Sequence, residues 1–230
     1  MYERADIELL KLKKKIKREA NAIEVRSFAD LTPEMVQEST RGMVERLLED
    51  NETAYVKVAK DAKRQAEAEL DKNGYKKVAK FDELNAMNST LTGYNEVTGY
   101  LYYHEAQRKR LRIAEEINTA KHFGNRLLLI SALARFTRLW YLQTQEYMIS
   151  IVDTVRIKLF EESDVKYAQW VAKKDDKTCE ICKERDGKIY RLKDFPTKPH
   201  YNCRCEMRLL PNGYKPTKVE KPEEADNENI

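Results

Sequence analysis

The residues best suited to chemistry in this sequence lie towards its C-terminal end. Cys179 and Cys182 form a Cys-x-x-Cys pair, and His200, Cys203 and Cys205 follow as a second group of ligating residues. A Cys-x-x-Cys turn lets two thiolates face one ion from a single tight loop. A second pair arriving from a separate segment completes the tetrahedron that zinc takes in structural sites. Only two of His200, Cys203 and Cys205 are needed for that. Cys203 and Cys205 would give a four-thiolate site, whereas His200 with one of them would give three thiolates and an imidazole. The four cysteines of the chain all fall in this stretch. Their even count also allows paired disulfides, but a disulfide scaffold is normally short and secreted, and with residues 1–19 basic and amphipathic no leader is expected in this 230-residue sequence. Four protein ligands leave no open position for water, so the expected Zn2+ is structural and no catalytic residue is expected.

Such a site has to be positioned by the elements around it. Residues 164–210 hold few bulky apolar groups, too few for a stable core of their own, and metal binding at a site of this kind contributes roughly 10–16 kcal/mol. Within them, residues 165–171 and 205–210 alternate like strands, as does the shorter 188–192. Asp186-Gly187 is a turn dipeptide between the halves. Everything before residue 164 reads as helix. Residues 1–26 place Ile7, Leu10, Ile16 and Ile23 at helical spacing. Thr32-Pro33-Glu34 announces a second helix to about Leu70, and Asn73-Gly74 stops it. A short helix is expected over residues 80–87, then a connection punctuated by Asn88, Ser89, Thr92, Gly93 and Gly99. Helical spacing returns over residues 100–122, and Gly124 breaks it. A long helix through Leu129, Phe136, Trp140, Tyr147, Val155 and Leu159 follows. It is apolar on more than one face over residues 127–142, so it is either central or covered by a partner.

The fold class is therefore mainly α, with a long-helix N-terminal domain (1–163), a small zinc-stabilised β-containing module (164–210) and a flexible acidic tail (211–230). Composition agrees. Charged residues make up 36% of the chain and Gly and Pro are few, as in solvent-exposed long helices. No stretch approaches the roughly 18 uninterrupted apolar residues of a membrane span, so a soluble cytoplasmic protein is expected. The net charge of +4 makes no polycation, and contact with nucleic acid would have to come from local patches.

The run Asp175-x-x-Thr178-Cys179-x-x-Cys182, then Asp186-Gly187-Lys188-x-Tyr190, then Pro199-His200-x-Asn202-Cys203-Arg204-Cys205 resembles the C-terminal signature of the Mu F-like minor head proteins of tailed phages. The resemblance implies a head morphogenesis protein present in few copies inside the procapsid and the virion head. Its partners would be the portal and the capsid or scaffold proteins, and packaged DNA would lie close by. Assembly would take place in the host cytoplasm, with no membrane and no small-molecule substrate. Some relatives carry toxin-like enzymatic domains after this module, and with 25 residues after Cys205 none is expected here.

Two basic stretches are candidate DNA contacts: Lys11, Lys13, Lys14, Lys15, Lys17 and Arg18 in the first helix, and Arg108, Lys109, Arg110 and Arg112 in the fourth. Both also read as ordinary solvated helix faces. Two other functions compete with the head-protein reading. A zinc-ribbon nucleic-acid binder would use Lys183, Arg185, Lys188 and Arg191. An HNH-type nuclease would need a second His or Asn poised on a helix, and His200 is the one histidine in the region. His104 and His122 read as ordinary helix histidines.

Overall fold

The computed structural model describes residues 2–25, 30–76, 78–95, 99–201 and 203–221. Asn202 of the signature and the tail acids Glu223, Glu224, Asp226 and Glu228 lie outside them. The order of elements is α1 (Glu3–Val25), α2 (Pro33–Lys72), α3 (Glu83–Thr92), the short hairpin β1 (Tyr94–Asn95) and β2 (Tyr100–Leu101), α4 (Tyr102–His122) and α5 (Arg126–Glu162). β3 (Tyr167–Val171), α6 (Glu180–Arg185), β4 (Ile189–Arg191), a 3-10 turn (Leu192–Asp194) and β5 (Glu206–Leu209) complete it. The molecule is mainly helical with a small C-terminal sheet, as the sequence predicts.

The starts of α2 and α5 and the ends of α2, α4 and α5 have local causes. The Thr32 hydroxyl accepts the amide of Met35 at the head of α2, and Asn125 Oδ1 accepts the amides of Leu127 and Leu128 at the head of α5. Gly74 (φ 76°) and Gly124 (φ 59°) close α2 and α4, each followed by an amide that reaches back to the last turn, Tyr75 to Leu70 and Asn125 to Ala120. Asp164 (φ 59°) does the same for α5, with Val165 donating to Phe160. Sequence and structure part at α3. The helix runs on to Thr92, where Leu91 is buried and the hydroxyls of Ser89 and Thr92 return to the carbonyls of Ala86 and Asn88. These residues read as punctuation in the sequence, and the hairpin that follows has no clear sequence signal.

α5 is the central element: α1, α2, α3 and α4 all pack against it. Leu129, Leu133, Phe136, Trp140, Tyr147, Ile151, Val155 and Leu159 are buried along it. Leu127, Leu128 and Ile130 remain exposed at its first turns.

β3 is the middle strand of an antiparallel sheet ordered β4-β3-β5, with Ala168 opposite both Tyr190 and Leu209 and Trp170 opposite Met207. One face of this sheet serves two clusters. Ala168, Leu192, Met207 and Leu209 join the helical core, while Trp170, Ala172 and Tyr190 surround Cys182, Cys203 and Cys205. Two charged side chains fasten β5 to the bundle. Buried Arg156 of α5 donates to Glu69 of α2 (2.6 Å) and to the carbonyl of Met207 (3.0 Å), and Glu69 accepts the amide of Leu209 (2.9 Å). Residues 211–221 follow the body where the sequence suggests a flexible tail. The Asn212 amide donates to Asn73, and the Glu220 amide to Ile189 at the outer edge of β4.

Candidate metal centre

The first ligand pair is made by a six-residue helix. Cys179 caps α6, its sulfur accepting the amide of Cys182 at 3.4 Å. That N–H···S contact fixes Cys179 beside the helix end and turns Cys182 inwards. After α6 the chain must reverse within a few residues to begin β4, and Gly187 does so at φ 79°, a conformation that favours glycine. Its amide donates to Trp170, and Trp170 donates to Lys188 (both 2.9 Å). Asp186 Oδ1 accepts the amide of Ala172, also at 2.9 Å. The turn dipeptide therefore holds α6 against the end of β3.

The second group comes from the loop between the 3-10 turn and β5. Cys203 and Cys205 are buried there. Cys182 Sγ lies 3.5 Å from Cys203 Sγ, and His200 Nε2 lies 3.2 Å from Cys179 Sγ. The ligating atoms fall into two overlapping groups, Cys179–Cys182–His200 and Cys182–Cys203–Cys205, each within 4.8 Å. Cys182 belongs to both. Tetrahedral zinc with Zn–S of about 2.3 Å holds its sulfurs about 3.8 Å apart, so the thiol spacing fits such an ion. His200 is oriented for it as well. Nδ1 lies 2.8 Å from the carbonyl of Tyr201, which can only accept, so the proton sits on Nδ1 and Nε2 is left to coordinate. All four cysteines are free thiols. The cluster can hold a metal, and its soft donors suit zinc.

Electrostatics distinguish the thiols. Burial pushes the Cys182 thiol far up, and the neighbouring sulfurs of Cys205, Cys179 and Cys203 raise it further. Burial also raises Cys203. For Cys179 burial works against the thiolate, but the Cys182 amide and thiol together with His200 outweigh it and lower its pKa. A cation among these groups would favour the thiolate form of the buried cysteines.

Arg204 does not turn to the sulfurs it separates in sequence. It forms a two-pronged pair with Asp175 (2.7 and 2.9 Å), and Asp175 also accepts the amide of Lys177. The two ligand-bearing segments are thus joined by an ion pair from the signature itself. Trp170 stacks on Phe195, Tyr190 meets Phe195 edge-on (both 5.7 Å), and the guanidinium of Arg185 lies over Trp170. Tyr167 is half-buried outside this cluster. Three residues with no sequence signal complete the surroundings. Tyr2 donates to Asp153 (2.7 Å), and Lys198 pairs with Asp153 (3.0 Å) and donates to the carbonyl of Cys203 (3.2 Å).

The basic residues singled out in the sequence are largely engaged within the chain. Lys11 pairs with Glu8, Lys15 with Asp50, Arg18 with Glu19, and Lys13 lies over the Tyr141 ring. Lys109 pairs with Glu105 and Arg112 with Glu116, Arg110 donates to Gln107, and Arg108 lies over Tyr100. Lys14 and Lys17 are exposed and have no ion pair among the described residues. Lys183 of the zinc-ribbon reading pairs with Glu180. His104 and His122 stand outside both ligand groups. No described helix is long and apolar enough to cross a membrane.

Residues 140–208 match the family model described as Phage Mu protein F like protein. The match begins inside α5, at Trp140, and takes in all five candidate ligands with nearly the whole β3–β5 sheet. No curated protein and no solved structure matches the chain.

Proposed function

We propose that this chain, which carries the Mu F-like segment over residues 140–208, is a minor head morphogenesis protein of a tailed phage or prophage. Its role is structural rather than enzymatic. It joins the portal-bearing procapsid and stays in the virion head. Cys179 and Cys182 hold one Zn2+ together with two of His200, Cys203 and Cys205. The observation that carries this reading is the coincidence of the two signals. The family match spans the segment in which separated signature residues converge on one cluster of soft donors. When bound, the ion supplies cross-linking of two loops, and the chain's own residues do the rest. Asp175 and Arg204 bring the ligand segments together, Gly187 turns the chain between them, and the Trp170–Phe195 stack covers the cluster on the sheet side.

DNA contact is the finer part of the reading, and Lys14 and Lys17 on α1 are its best remaining candidates. Each phosphate neutralised steepens the salt dependence of binding by about 0.9 in log–log slope, so two free lysines predict a shallow slope of about 2.

The test is co-expression with the portal protein of the same phage, followed by purification of portal complexes and of heads. The chain should co-purify with portal, should be found in purified heads at few copies, and should carry about one zinc. A chain absent from heads and unable to bind portal would overturn the assignment.

A further inference from the structure

The second ligand group sits on a loop with no ladder to hold it. Among the described residues between the 3-10 turn and β5 there is no helix or strand, yet this loop must present Cys203 and Cys205 to the first pair. Its grip comes from the helical bundle. The ammonium of Lys198 has three donors, and each finds a partner: the Tyr2 hydroxyl, the Asp153 carboxylate and the carbonyl of Cys203. Tyr2 stands just ahead of α1, and Asp153 is on α5. The Tyr2 hydroxyl donates to Asp153 and lies 3.3 Å from the carbonyl of Cys205, and the Lys198 ammonium rests 4.3 Å from the centre of the Tyr2 ring. Lys198 is only 12% exposed, so water does little of this work. The carbonyls of both late cysteines are therefore touched by one network.

We infer that Lys198, Asp153 and Tyr2 are positioning residues for the metal centre, so that a residue 203 positions before Cys205 helps to set its affinity for the ion. This rests on the zinc reading above. A backbone carbonyl held in place fixes the direction in which its own Cβ and sulfur project. Losing the hold lets the loop sample orientations in which the thiols miss the ion. Groups that orient metal ligands typically change affinity by about 10- to 100-fold when removed. Linkage works in both directions. Zinc, by fixing the loop, should also hold the start of α1 against α5.

The experiment titrates the full-length chain with zinc against a chromophoric chelator, for wild type, Lys198→Met, Asp153→Asn, Tyr2→Phe and the control Lys166→Met. Lys166 is exposed, belongs to the same part of the chain and, among the described residues, pairs with Asp164. Backbone hydrogen exchange over residues 3–12 is followed with and without zinc. We expect Lys198→Met to bind about 10- to 100-fold more weakly, with Asp153→Asn and Tyr2→Phe weakened less and Lys166→Met unchanged. Zinc should slow exchange in α1 of the wild type and not in Lys198→Met. Tyr2→Phe removes a single oxygen, so it keeps the inference testable if Lys198→Met fails to fold. Wild-type affinity in Lys198→Met and Tyr2→Phe, with the wild type holding one zinc, would overturn the inference and leave the zinc reading standing. A wild type that takes no zinc would remove both.

Discussion

Cys182 stands apart from the other four candidate ligands because its sulfur is the one shared by both groups of donors. If zinc binds as proposed, five donors would compete for four positions, so the loss of one peripheral donor could be made up by the spare one, but the loss of the shared sulfur could not. Cys182→Ser should therefore drop zinc from about one to near zero per chain after dialysis, measured by metal analysis with thiol counting. One of Cys205→Ser and His200→Ala should keep full stoichiometry. Equal retention in all three variants would refute the shared-ligand geometry. The cysteines were legible in the sequence because a rare residue type repeated at ligand spacing seldom arises without a common ion or a disulfide to bind it. Tyr2, Asp153 and Lys198 were not, since Tyr2 is 151 positions from Asp153 and 196 from Lys198, and contacts so distant leave no periodic trace. Glu8 differs, since Arg4 and Lys11 stand at helical spacing from it and only Lys57 reaches it from another helix. Its carboxylate is 3% exposed, and Lys11 and Arg4 lie about 3 Å away, with Lys57 beyond them. Burial opposes its charge, but the Lys11 hydrogen bond and the charges of Lys57, Lys11 and Arg4 hold the carboxyl below the usual glutamate range. Its stabilisation is then present above the ordinary glutamate value of about 4.3 and is lost as pH falls through the lower folded value. Glu8→Gln should cost about 1–2 kcal/mol at pH 7. The difference from wild type in thermal melts should shrink once pH falls below the ordinary glutamate value and close below the folded one, and a gap that stays constant through that fall would contradict the ionic origin.

The long helices were legible because their ends obey local rules. Gly74 and Gly124 could be recognised as stops from residue type alone, whereas Asp164 adopts the same left-handed cap without a glycine to mark it. The α3 extension escaped because hydroxyls returning to helix carbonyls look, in sequence, like turn residues, and the β1–β2 hairpin because strands of two residues show no alternation. The tie between helices and sheet is likewise a matter of contact rather than pattern. Arg156 is 4% exposed, and it holds Glu69 of α2 and the Met207 carbonyl of β5 at once. Taking away one partner of a buried ion pair costs about 3–5 kcal/mol, and with Glu69 still partly in contact with solvent we expect the lower end. Arg156→Met should thus lower stability to urea by about 3 kcal/mol. It should also raise hydrogen exchange in β5 more than in α6, which makes no use of this residue. Uniform loosening of α6 and β5 would show instead that the sheet and the cysteine cluster open as one unit.

Whether they do so depends on how the two clusters share the molecule. The sheet turns one face inwards, and along that face the contacts pass from the helical core at Ala168, Leu192, Met207 and Leu209 to the cysteines at Trp170, Ala172 and Tyr190. Burial in the helical core does not depend on a metal. Among the described residues the cysteine cluster has only six buried members, three of them cysteines, so little apolar area holds it together when no ion is present. Removal of zinc by a chelator should therefore act unevenly. Most of the helical circular dichroism should survive, because α1 to α4 pack on α5 and not around the metal. Exchange and proteolysis should rise over residues 172–205. The β3–β5 ladder, with Ala168 opposite Leu209 and Trp170 opposite Met207, should stay protected at its Ala168 end and open first at its Val171 end, beside Glu206. That gradient along one strand separates a metal clip on a pre-formed sheet from a module that folds only with its ion. Loss of protection along the whole of β3 on chelation would mean that the ion, rather than the helical core, holds the sheet together. No change anywhere would mean that the cysteines pack as ordinary small apolar residues.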